Sequence, residues 1–125
     1  MDNREISEKY AEIGAELIEN EEIFADLKDV TIVYLSSDYA KTDKGRDVLG
    51  QCEKIADKYR WGIPADFTIT LFEPNIVGKS DEIIRRIIFH ELLHVGDDKV
   101  NPHDLEDFRE CIDRWGVDWA EDDLF

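Results

Sequence analysis

Apolar residues recur at helical spacing from the start of the chain: Ile6, Tyr10, Ile13 and Leu17, then Phe24 and Leu27. The pattern predicts helix over residues 4–27, as one helix or as two, because Gly14 and Asn20 weaken its middle. Residues 30–35 are β-branched and aromatic and predict a strand. Polar residues 36–45 predict a loop. In residues 48–55, Val48, Gly50 and Cys52 alternate with polar neighbours, which favours a strand; residues 53–59 could instead form a helical turn. Gly62-Ile63-Pro64 reads as a turn. Residues 67–72, Phe-Thr-Ile-Thr-Leu-Phe, have strong β propensity and are ended by Pro74 and Asn75.

The next segment changes period. Ser80 suits an N-cap, and Asp81 and Glu82 sit where the helix dipole favours acids. From Ile83 to Val95 the chain is apolar nearly all round, so this helix belongs in the centre of the domain. Gly96 is a natural C′ stop. Asn101-Pro102 predicts a helix restart, with Asn as cap and Pro at N1. Leu105, Phe108, Ile112 and Trp115 would form the new stripe and Gly116 its end. These elements predict an α+β fold. A small sheet of about three strands packs on a buried helix, with helices at both ends. A helical segment over 1–28, a core over 30–119 and an acidic tail over 120–125 make one domain over residues 1–125.

Charge narrows the partners. Asp and Glu number 31 against 15 Lys and Arg, a net charge of −16 in 125 residues. Such a surface repels phosphate backbones, so nucleic acid is not expected as a partner. Apolar content of 42% is enough for a core. Cys52 and Cys111 form no C-x-x-C pattern and read as buried thiols. No run reaches 18 apolar residues, and the first five residues lack the apolar core of a leader, so the expected location is cytoplasmic.

The chemistry sits in the buried helix, at His90-Glu91-Leu92-Leu93-His94. Two imidazoles four residues apart share a helix face, about 6 Å apart along the axis, and can grip one metal ion. The glutamate between them falls beside the water such an ion would hold, which is the zinc-hydrolase pattern with Glu91 as general base. Two histidines can also be hydrogen-bonded core residues. Three polar side chains inside an otherwise apolar helix, however, are costly unless something satisfies them.

Hydrolytic zinc takes three protein ligands and leaves one position for water. His103, the remaining histidine, is the best candidate for the third. Gly96 would let the chain turn, and Asn101-Pro102 would place His103 in the first turn of the next helix. Asp97, Asp98, Asp104, Glu106, Asp107 and Glu110 are the rivals. Tyr34, Tyr59 and Arg109 are candidate oxyanion donors, and Asp104 and Asp107 candidate partners for the imidazoles. The strand at 67–72 is either an ordinary core strand or a free edge to which an extended peptide adds.

The run His90 to Val95, the Asp97-Asp98 pair, and His103-Asp104-Leu105-Glu106-Asp107-Phe108 resemble the phage metallopeptidase family, small zincin-like proteins distantly similar to SprT-like proteases. Arg114-Trp115-Gly116-Val117-Asp118-Trp119 and the stretch from Gly50 through residues 66–71 share the likeness, which covers roughly residues 30–119. The resemblance implies a zinc-dependent peptidase acting on a peptide or protein, with His90, His94 and His103 as ligands and Glu91 as the catalytic residue. A metzincin would need Gly at 97 and His at 100, where this chain has Asp97 and Val100. DNA-repair SprT-like proteases carry DNA-binding segments, and this acidic chain shows none. Two other functions fit the composition: an acidic DNA mimic with a structural metal, and a metal-dependent amidase acting on the cell wall.

Overall fold

The computed structural model describes residues 2–59, 61–62, 64–96, 99–102, 108–116 and 120, with Arg109 described by its backbone alone. Strand β1 (Arg4–Ile6) leads into helix α1 (Glu8–Asn20) and a 3-10 segment (Glu22–Leu27). Strand β2 (Ile32–Ser37), a small hairpin of β3 (Thr42–Asp43) and β4 (Arg46–Asp47), strand β5 (Gly50–Lys54), a 3-10 turn (Asp57–Tyr59) and strand β6 (Phe67–Phe72) follow. Helices α2 (Glu73–Ile76), α3 (Asp81–Leu93) and α4 (Arg109–Trp115) complete the order. The fold is α+β, and the main sheet has four strands in the order β1-β2-β6-β5. β2 and β6 run parallel; the two outer pairings are antiparallel.

The fourth strand comes from residues expected to be helical. Ser7 caps α1 by accepting a hydrogen bond from the Tyr10 amide at 3.2 Å, so the helix starts at Glu8. The Ser7 amide donates to the Tyr34 carbonyl at 2.8 Å, which joins the preceding residues to β2. At the other end Glu21 is extended, and it separates α1 from the 3-10 segment. Ser36 and Ser37, expected in a loop, complete β2. The β3–β4 turn holds Lys44 at φ 53° and Gly45 at φ 77°, the left-handed pair of a type I′ hairpin.

β6 lies between β2 and β5 with both edges paired, so it offers no free edge to a peptide. It is the core strand of the two alternatives, and all its residues except Thr68 are buried. Its inner residues Phe67, Ile69 and Leu71 pack with Ile83, Ile84, Ile87 and Ile88 of α3 in a continuous core. On the outer face Thr70 is fully buried beneath Arg4, whose guanidinium donates to Thr70 Oγ1 at 3.1 Å and to Glu53 Oε1 at 2.9 Å. Arg4 thereby fastens the short β1 across the sheet.

Helix α3 begins as expected, with Ser80 Oγ accepting from the Ile83 amide at 3.2 Å. It ends differently. Leu93 is its last residue, and Val95 bridges Val100 in a tight loop whose Gly96 amide donates to the Lys99 carbonyl at 2.9 Å. Gly96 has no left-handed backbone conformation. A Cβ there would stand 2.4 Å from the Lys99 carbonyl oxygen and 2.6 Å from Asn101 Oδ1. Close approach, and no left-handed stop, requires this glycine. The Asn101 side-chain amide, expected to open a new helix, is turned back on the carbonyls of Leu93 and Val95 at 3.3 and 3.4 Å. The last helix begins at Arg109 with Phe108 extended as its N-cap, where a stripe position was expected; Phe108 and Cys111 are buried, Ile112 is only half-buried, and Gly116 ends the helix at φ 84°. Both cysteines are free thiols.

Candidate metal centre

α3 delivers His90, Glu91 and His94 to one end of the core. Their potential ligand atoms, one per residue, all lie within 4.8 Å of one another. With zinc–nitrogen and zinc–oxygen bonds of about 2.0–2.2 Å at tetrahedral angles, two ligands of one ion stand roughly 3.3–3.6 Å apart. The donor chemistry fits a divalent cation, and the ligand atoms would draw in by up to about 1.5 Å, within the reach of side-chain rotation. The two imidazoles meet edge to face with centroids 5.2 Å apart and line one cavity of about 240 Å³ with Gly50, Gln51, Cys52 and Val100. Phe108 packs against both rings, 5.4 Å from His90 and 4.8 Å from His94.

His94 is fixed from the backbone of Asn101. Its Nδ1 lies 2.6 Å from the Asn101 carbonyl oxygen, and the Asn101 amide donates to the His94 carbonyl, also at 2.6 Å. With Nδ1 donating, Nε2 presents a lone pair. His90 Nδ1 lies 3.2 Å from Glu91 Oε2. Glu91 is only 4% exposed. A carboxylate so deep needs polar company, and His90 is part of it.

β5 forms the opposite wall. The Phe72 amide donates to the Leu49 carbonyl and the Ile55 amide to the Asp66 carbonyl. In an antiparallel ladder these bonds recur at every second residue, so Gln51 and Glu53 turn their backbone groups toward β6. Gly50 and Cys52, between them, turn theirs toward the outer edge. Among the described residues no strand covers that edge.

Of the other candidates, only some fall within the described residues. His103, Asp97, Asp98, Asp104, Glu106 and Asp107 lie outside the described residues, as does the side chain of Arg109. Glu110 is held at 2.5 Å by Arg114, which also reaches Glu21 at 3.1 Å. Tyr34 is buried two strands from β5 with its ring on α1, where a Cβ at Gly14 would come within 2.1 Å of its hydroxyl. Burial also pushes the Tyr34 phenol up, so it stays neutral. Tyr59 is half-exposed and lines no part of the cavity. Asn101, Phe108 and Gly50 enter the site unannounced. The first looked like a helix cap, the second like a core stripe residue and the third like one alternating position of a strand.

Cys52 shares the cavity with the imidazoles, which raises the question of a thiolate nucleophile. Burial, reinforced by the Glu91 and Glu53 carboxylates, pushes its thiol up to about 12. A Cys–His nucleophile needs the opposite shift. The chemistry available here is that of the two imidazoles and the carboxylate.

Searches among curated proteins and among solved structures returned no match. The family model described as "Putative phage metallopeptidase" matches residues 2–123. That span takes in β1 and α1, beyond the stretch in which the likeness was legible by eye. With a match over nearly the whole chain, the protein belongs to the phage metallopeptidase family.

Proposed function

We propose that this protein is a zinc-dependent peptidase in which Glu91 is the general base and His90, His94 and His103 hold the metal. The observation that carries the proposal is the convergence of two imidazoles and a buried carboxylate within 4.8 Å, in a cavity beside a strand edge that no strand covers among the described residues. The family membership points the same way. Support for His103 is one of reach. Asn101 is clipped to His94, and residues in a chain are 3.8 Å apart from one Cα to the next, so His103 starts no more than about 7.6 Å from that clip.

Zinc, when bound, supplies a Lewis acid for the scissile carbonyl and brings the acidity of water toward neutrality. Glu91 accepts a proton from the attacking water at a carboxylate oxygen and passes it to the leaving amine. The Asn101 carbonyl keeps His94 in the tautomer that a ligand needs. The outward backbone groups of Gly50 and Cys52 receive an extended peptide as an added strand. Low dielectric around Glu91 strengthens its interaction with that proton.

The test is metal analysis together with cleavage of casein and of purified peptidoglycan. Expected are stoichiometric zinc, cleavage of casein, and loss of cleavage in Glu91→Gln with zinc retained. His103→Ala should lose the metal. Undiminished cleavage by Glu91→Gln overturns the mechanism, normal zinc in His103→Ala overturns the third ligand, and cleavage of peptidoglycan alone overturns the substrate class.

A further inference from the structure

Gly50 stands at an unlikely place for a glycine. It opens β5, where a residue without a side chain weakens a strand through backbone entropy and lost packing. Its backbone is not left-handed, so nothing in its conformation demands glycine. What excludes a side chain is the neighbour across the cavity. A Cβ at residue 50 would lie 3.2 Å from Glu91 Cγ, 3.3 Å from Glu91 Oε2 and 3.2 Å from Ile87 Cγ2. These separations are shorter than ordinary van der Waals contact, and both neighbours are buried in α3, so neither swings away into solvent.

We propose that Gly50 is a positioning residue for Glu91: the space it leaves at the head of β5 is what allows the Glu91 carboxylate to sit beside the imidazoles. A methyl at this point would press on the Glu91 stem and on one of its oxygens. Because the helix is fixed by the core, the carboxylate would be the part to move, by a few tenths of an ångström or into another rotamer. Displacements of that order are costly to proton transfer, since the base must stay within hydrogen-bond reach of the attacking water.

The inference rests on Glu91 as the general base, and the experiment separates the two. Equilibrium unfolding of the metal-free protein is measured for Gly50→Ala, Glu91→Ala and the double variant. Gly50→Ala should lower the melting midpoint by about 2–6 °C when Glu91 is present. The fall should be clearly smaller when residue 91 is alanine, where only the Ile87 methyl still opposes the new Cβ. An equal fall in both backgrounds overturns the contact. In the zinc-loaded protein Gly50→Ala should lower kcat about tenfold or more, with KM within about twofold and zinc retained. Adding Ile87→Leu, which removes the β-branched methyl at similar volume, should recover part of that loss and keep the variant folded. Wild-type kcat in a zinc-loaded Gly50→Ala overturns the positioning role. A wild-type protein that cleaves nothing defeats the peptidase reading, while the unfolding cycle still decides the Gly50–Glu91 contact.

Discussion

His94 owes its orientation to an atom that no side-chain motif records, the Asn101 carbonyl oxygen 2.6 Å from Nδ1. That carbonyl is in place because the Asn101 side chain ties its own residue to the carbonyls of Leu93 and Val95. Asn101→Ala removes the tie and leaves the clip to the backbone bonds of the loop. Zinc affinity is expected to fall about tenfold or more, the usual effect of losing an outer partner of a ligand. Competition with a chelator measures it, and unchanged affinity would show that the backbone clip suffices. Cys52 gives a second prediction at this scale. Burial raises its thiol to about 12, so the folded protein prefers the neutral form. The thiol's contribution to stability is intact below the unfolded value near 9 and is lost as pH rises toward 12. At pH 8 the folded protein should react with iodoacetamide at least tenfold more slowly than the protein unfolded in guanidinium. Equal rates would place an activated thiolate at the site.

Single elements respond to single contacts, and α1 is the clearest case. In the sequence Gly14 looks like a weak point in a helix. In the fold it is the place where the Tyr34 ring lies on α1, with no room for a Cβ. Gly14→Ala should therefore destabilise by about 1–3 kcal/mol, although alanine is the better helix former. Thermal melting checks this, and a rise in midpoint would mean that the ring yields freely. The same example marks the limit of reading by pattern. Local signals were legible wherever one residue decides one feature: the Ser80 cap, the Gly116 stop, the β runs at β2 and β6, and the apolar α3 with its two imidazoles. The central pair of the metal site was local in this sense, because four residues on a helix fix which face they share. Three features depended on contacts that helix or strand period does not encode, two of them with partners distant in the chain. β1 exists because Arg4 reaches Thr70 and Glu53. Gly50 exists because β5 faces Glu91. Asn101 turns back because the loop before it is closed by the Val95–Val100 bridge.

At the scale of the whole molecule, charge is the dominant long-range term. Asp2 and Asp38 fasten β1 to the sheet. Arg4 and Ser37 hold the Asp2 carboxyl below the usual carboxylate range, and the backbone and side-chain amides of Asn3 do the same for Asp38. A depressed folded value means that their contribution is present above the unfolded value near 4 and is lost as pH falls through the folded one. β1 amides should therefore lose hydrogen-exchange protection first on acidification, before those of β6; simultaneous loss would mean that the strap carries no separate stability. Around neutrality the opposing effect is self-repulsion. The excess of 16 negative charges acts over the whole surface, while the ion pairs Arg4–Asp2, Lys9–Asp81 and Arg114–Glu21 are exposed or half-exposed. Such surface pairs contribute little and are themselves screened by salt. Raising ionic strength from about 0.01 M to 0.15 M shortens the screening length from roughly 30 Å to 8 Å, which removes repulsion between distant carboxylates before it weakens pairs at 3 Å. Repulsion should win, so the melting midpoint at pH 7 is expected to rise with sodium chloride over this range. A midpoint that falls would show that the ion pairs outweigh the net charge.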